Sequence, residues 1–189
     1  MERQTGSNRL HEFFLSVTRR SFAELGVGDQ AVVDYVAVLM TEFARADRLY
    51  ALATTEGTAN DSVVRMLLET PRRPSDERTL VRARARRKYV GDYTLFMSGL
   101  FRTHVEHRGA LDYYLEEGRR SYWAVSELDL TLYRTGFLLF QQLSKNFEYY
   151  SGALDYMRKA YFTPSPGESP FAAFLKEVQG WIHSGLSDN

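Results

Sequence analysis

The sequence contains no cysteine, which excludes disulfides, thiolate zinc sites, iron–sulfur clusters and cysteine nucleophiles together. It also lacks an excess of either charge, since 24 basic residues balance 24 acidic ones. Nucleic-acid binding is therefore not favoured by the whole-molecule charge and would need a local basic patch. No apolar run approaches the roughly 20 residues that span a bilayer. The first residues, MERQTGSNRLHEFF, carry charges where a signal peptide would be apolar. We expect a cytoplasmic protein without membrane contact.

Strand-like alternation is missing as well. Nearly every segment repeats apolar residues at intervals of three and four, which is the period of an amphipathic helix. Hydrophobic residues make up 44% of the chain, enough for a sizeable core. We therefore predict an all-α fold, a single-domain bundle of six to eight helices over residues 1–189.

Turn and capping residues predict where these helices begin and end. We expect Asp29 to cap the second helix, Ser75 or Asp76 to cap a long one, and Pro170 to begin the last. The apolar pattern from Asp129 to Phe162 would make a single helix of about 50 Å, so we predict a bend or break near Ser151-Gly152. The other predicted helices cover residues 8–25, 30–53, 62–69 and 110–128.

The segment GDYTLFMSGLF, Gly91 to Phe101, has no side that looks solvent-exposed. On a helical wheel its large apolar residues fall within an arc of about 140 degrees, and the opposite side is mostly small. Two non-polar sides predict the central helix of the bundle. Asp92 lies between them and needs a partner if it is buried, either Lys88 or an arginine of another helix. Alternatively it lines a ligand pocket.

This segment also carries a resemblance. Together with Asp112-Tyr113-Tyr114, Gly118 and Tyr122 further on, it resembles the Gly-Asp-x-x-Leu-Phe-x-x-Gly-Leu/Phe-Phe segment of a group of uncharacterised bacterial all-helical proteins. The likeness covers about Val90 to Val125. It implies a helical fold and assigns no functional residue, because no function is known for the group.

A basic run extends from Arg72 to Lys88. Arg82 and Arg86 fall on the same side of a helix as Tyr89 and Tyr93, and the remaining arginines point elsewhere, so we expect no single basic face. Solvation or pairing with carboxylates of the same chain is the favoured interpretation. The alternatives are an anionic ligand and nucleic acid. The ligand-binding candidates that we select are Arg82, Arg86, Asp92 and Tyr93.

Two histidines of RTHVEHRG, His104 and His107, could bind a metal together, but no HExxH or paired E-x-x-H pattern supports one. We predict no metal and no cofactor. Arg102 and His107 also have an R-x4-H spacing, which resembles the R-x4-6-H motif of HEPN ribonucleases. That resemblance implies an all-helical dimer in which this pair acts at the RNA phosphate, with the histidine suited to proton transfer.

Aromatic residues are dense in the second half of the chain, for example in YYLEEGRRSYW. They indicate a core, or a pocket for a flat ligand. No P-loop, GxGxxG or GxSxG motif is present. We predict a non-catalytic helical interaction or ligand-binding module, a homodimer with an aromatic or arginine-lined surface that binds a small anionic or aromatic ligand. An enzyme using Arg102 and His107 is the alternative, and a nucleic-acid-binding regulator using Arg72 to Lys88 is the weaker one.

Overall fold

A computed structural model of the chain describes residues 2–45, 76–162 and 170–184. The secondary structure of these residues is helical without a strand, which confirms the all-α prediction. The described residues form eight helices, and none of them is both long enough and apolar enough to cross a bilayer. They are α1 (Glu2–Glu24), α2 (Gln30–Phe43), α3 (Glu77–Leu100), α4 (Arg102–His107), α5 (Leu111–Thr131), α6 (Phe137–Lys145), α7 (Phe147–Tyr161) and α8 (Pro170–Ser184).

The helices divide into two compact units. The first contains α1, α2, α8 and the part of α7 from Ala153 onward, and the second contains α3 to α6 and α7 up to Gly152. That both units belong to one domain stays a prediction. Predicted helical residues between 46 and 75 lie outside the described ranges.

In the first unit, the GVGD turn separates α1 from α2 as the sequence predicts. The Asp29 side chain caps α2 by accepting from the backbone N–H groups of Ala31 and Val32, at 3.0 and 3.3 Å. Phe14 is fully buried in this unit, and its ring stacks on Phe174 of α8 at 6.4 Å between centroids. The buried core of this unit therefore joins helices from both ends of the chain.

In the second unit, α3 begins where Asp76 accepts a 2.7 Å hydrogen bond from the Thr79 backbone N–H. Every residue from Val90 to Phe101 is buried, which confirms the prediction of an interior helix. α5 returns along α3 in the opposite direction. A Cβ at Gly91 would lie 2.6 Å from the Tyr122 ring of α5, so this glycine permits a close approach of the two helices.

The predicted break near Ser151-Gly152 is wrong. The chain leaves helical structure at residues 132–136 and again at Asn146, while Ser151 and Gly152 lie inside α7. Ser151 donates a 3.0 Å hydrogen bond to Ser98 of α3 in the core. α7 thus continues as a helix at the point where composition alone favours a turn, and Ser151 is fixed there against α3.

Candidate functional site

The basic residues of α3 form two sets, and the inner set pairs with buried carboxylates. Arg84 makes a two-point contact with Asp129 of α5, through its Nε to Oδ1 and through its Nη2 to Oδ2 at 2.9 Å. Asp129 is 0% exposed, and the Arg84 guanidinium also lies 5.4 Å from the centre of the Phe140 ring. A bidentate arginine satisfies both oxygens of a buried carboxylate. The Arg84 guanidinium is therefore bound to a buried group of its own unit.

Two further basic residues of α3 pair in the same way. Arg87 donates to the Glu117 carboxylate of α5 at 3.0 Å, and Glu117 is buried. Lys88 donates to Asp92 at 2.6 Å, and the Tyr122 hydroxyl donates to the other Asp92 oxygen at 2.8 Å. The structure thus places Asp92 in the predicted ion pair with Lys88, where two donors occupy its carboxylate.

Tyr93, the other buried ligand-binding candidate, lies beside Tyr114 in the α3–α5 interface, with ring centroids 6.0 Å apart. Burial is the main cause that raises the pKa of both phenols above the ordinary value. Both hydroxyls therefore stay protonated near neutral pH. Asp92 and Tyr93 are buried in the core of the unit. They therefore do not form one surface site with Arg82 and Arg86.

Arg82 and Arg86 belong to the outer set of α3, together with Arg78. The three residues recur at every fourth position of a continuous helix, and they are exposed or half-buried. None of them makes a hydrogen bond or a salt bridge to a residue that the structure describes. The other described arginines of α3 point elsewhere, as the helical wheel predicts, because they turn inward to carboxylates of α5. Arg72 and Arg73 lie outside the described residues.

The R-x4-H pair lies on the short helix α4. Arg102 bonds Glu106 at 3.0 Å, and the His107 Nδ1 donates to the Thr103 backbone carbonyl at 2.7 Å. Each side chain is thus held by its own helix, and no hydrogen bond joins the two. The HEPN-like role stays a prediction. Across the described residues, no group of three or more histidine or carboxylate side chains is placed to hold a metal ion.

Sequence reasoning missed the outer face of α5, which we define as Arg120, Trp123, Glu127 and Leu130. These residues fall within about 80 degrees on the helical wheel, opposite the buried stripe of Tyr122 and Val125. Trp123 and Leu130 are each 49% exposed. The spacing of Trp123, Glu127 and Leu130 was visible in the sequence, but aromatic density there was assigned to core.

Tyr133, just beyond this face, is 97% exposed and has a left-handed backbone with φ of +54°. The Tyr133 N–H bonds Leu130 O at 3.2 Å and the Arg134 N–H bonds Asp129 O at 2.8 Å. This is the Schellman closure of a helix, in which the left-handed position is usually glycine. A left-handed non-glycine residue costs roughly 1–2 kcal/mol, and at 97% exposure the ring is not packed against the described residues.

Comparison of the chain with protein-family models, with curated proteins and with solved structures found no match. The resemblance of the Gly91–Phe101 segment to the bacterial helical group therefore stays a prediction. The candidate site is defined by geometry alone, as the outer faces of α3 and α5.

Proposed function

We propose that this protein is a non-catalytic helical interaction module, and that it binds a second copy of itself through the outer face of α5. The observation that carries the proposal is the half-exposed Trp123 between Arg120 and Glu127, on a face that ends at Leu130 and is followed by the almost fully exposed Tyr133. Tryptophan and tyrosine are the residues that most often dominate binding energy at protein interfaces.

The charges of this face favour a copy of the same face as the partner. Glu127 is exposed and makes no salt bridge to a described residue. Among the described residues, Arg120 is paired only with Glu116, at 2.8 Å on the surface, and such exposed pairs contribute about 0–1 kcal/mol. Arg120 can therefore exchange this partner for another carboxylate at little cost.

An antiparallel arrangement of two α5 helices would satisfy these groups. If Arg120 of one copy faces Glu127 of the other, a two-fold axis passes between positions 123 and 124. The two Trp123 rings then meet at the axis, and symmetry creates a second Arg120–Glu127 pair on the other side. The result has the apolar centre and polar rim of a specific interface. The chain has no net charge that would oppose self-association.

Charge reversal tests this register. We expect Arg120→Glu and Glu127→Arg each to weaken the dimer, because each places like charges opposite one another twice per dimer. The double variant R120E/E127R should restore it, since the charges are exchanged but still complementary. Sedimentation velocity over the micromolar range measures the dimer fraction. A monomeric wild type, or a double variant no better than the singles, would contradict the proposal.

Trp123→Ala supplies the matching test of the apolar centre. Each dimer loses two central tryptophans at about 2 kcal/mol each, so the dimer should weaken roughly 1000-fold. Tyr149→Ala on α7 is the control, because Tyr149 is equally exposed but lies on another helix. Equal weakening by both variants would point away from α5.

Variants of Tyr133 test the stability of the monomer independently of self-association. We expect Tyr133→Gly to raise the free energy of unfolding by about 0.5–1 kcal/mol, because glycine relieves the left-handed strain but makes the unfolded chain more flexible. Tyr133→Ala keeps the strain and should leave stability nearly unchanged. Urea denaturation at a concentration where the protein is monomeric measures both. A destabilised glycine variant would show that the Tyr133 ring makes stabilising contacts in the monomer.

A further inference from the structure

The outer set of α3 has the composition of an anion-binding surface. Its side of the helix carries only basic, small, apolar and aromatic residues at exposed or half-buried positions, and none is acidic. These residues are Arg78, Val81, Arg82, Ala85, Arg86 and Tyr89. Glu77 is rotated by about 100 degrees from Arg78, and Asp76 caps the helix, where its carboxylate interacts electrostatically with Arg82.

The three arginines differ from the other basic residues of α3 in making no salt bridge to a described carboxylate, although Arg82 interacts electrostatically with Asp76. Arg84, Arg87 and Lys88 bond Asp129, Glu117 and Asp92, respectively. The outer arginines make no hydrogen bond or salt bridge to a described residue, so each guanidinium retains donors for a ligand. Arginine presents these donors as a planar fork that matches phosphate oxygens. Three of the six basic residues of α3 are thus paired with carboxylates, and the other three remain available to a ligand.

The spacing selects an extended ligand over a single ion. Successive arginines are four residues apart, which is about 6 Å along the helix, and the outer three cover about 12 Å. A lone phosphate can engage one or two of these side chains. A linear chain of phosphates can engage all three.

We infer that the outer set of α3 binds the backbone of a single-stranded nucleic acid. Tyr89 favours this ligand over an inorganic polyphosphate or an acidic peptide. Its ring is 37% exposed and lies on the same side as the arginines, where it offers a stacking surface for a base. The balanced charge of the whole protein makes the binding weak, within about 10⁻⁶ to 10⁻⁴ M at physiological salt. This site lies on a different helix from the α5 face and does not depend on self-association.

The salt dependence of binding tests the number of contacts. With a fluorescent uridine oligonucleotide, the slope of log affinity against log salt should be about −2, which is about 0.7 for each of three phosphates. Affinity should therefore fall roughly 20-fold between 50 and 200 mM salt. In the double variant R82Q/R86Q a single contact remains, and the slope should fall to about −0.7.

The control variant is R19Q/R20Q, which removes the same charge from two exposed α1 arginines that already have carboxylate partners. It should leave the slope unchanged. Tyr89→Ala should weaken oligonucleotide binding several-fold without changing the slope. Absence of binding at low salt would overturn the inference, as would equal losses in both double variants. Preference for polyphosphate or polyglutamate over the oligonucleotide, with no effect of Tyr89→Ala, would overturn the assignment to nucleic acid.

Discussion

Replacing Arg84 by alanine is expected to lower the free energy of unfolding by about 3–5 kcal/mol. The change leaves the Asp129 carboxylate, which is 0% exposed, without the guanidinium that contacts both of its oxygens. A buried charge that loses its partner must stay uncompensated or become protonated, and both cost free energy. The Phe140 ring also loses the guanidinium packed beside it.

Arg86→Ala is the matched control, two positions further along the same helix. Arg86 makes no salt bridge to a described residue, so its loss should change stability by no more than about 0.5 kcal/mol. Urea denaturation followed by circular dichroism measures both variants. Similar effects at the two positions would mean that the Arg84–Asp129 pair does not hold α3 to α5.

Gly118→Ala is expected to destabilise the second unit by about 1–2 kcal/mol, although alanine is the better helix former by about 1 kcal/mol. The new Cβ would overlap the Phe147 ring and would lie 2.6 Å from the Thr94 hydroxyl oxygen. Phe147 is buried and packs against Tyr122 at 5.7 Å, so its ring cannot turn away without disturbing the core.

Gly152→Ala is the control, because we expect it to raise the free energy of unfolding rather than lower it. Gly152 also lies within a helix, α7, but a Cβ built there would meet no described residue within 4 Å beyond its chain neighbours and its own helix backbone. This variant should stabilise the protein by about 0.5–1 kcal/mol. Thermal and urea unfolding of the two glycine variants provide the comparison. A neutral Gly118→Ala would mean that α5 and α7 shift apart easily at this contact.

Part of the candidate site on α3 can be predicted from the helical period alone. The wheel placed Arg82 and Arg86 on one side of α3, and their exposure agrees with a surface role. It also offered Lys88 as one of two possible partners of Asp92, because residues four apart on a helix are neighbours, and the structure shows this pair. The same wheel expected the other arginines to scatter. It could not show that Arg84 and Arg87 end on carboxylates of α5.

The outer face of α5 was missed for a related reason. Tyr122 and Trp123 are adjacent aromatics, and composition does not say which of them faces the core. Tyr122 is buried because its ring lies over Gly91 and its hydroxyl reaches Asp92, 30 residues away. Trp123 is rotated by 100 degrees and therefore faces outward.

The sequence by itself determined the features that depend on neighbours along the chain. These are the helical class, the cap at Asp29, a cap at Ser75 or Asp76, the start of α8 at Pro170 and the interior character of Gly91 to Phe101. Only the tertiary structure decided which basic residues of α3 are paired with carboxylates, since Arg84 contacts Asp129, which lies 45 residues later in the sequence. It also decided that Ser151 stays helical and that Tyr133 turns left-handed at full exposure. The reason is that caps and periodicity act within a few residues, whereas partners depend on how the helices pack.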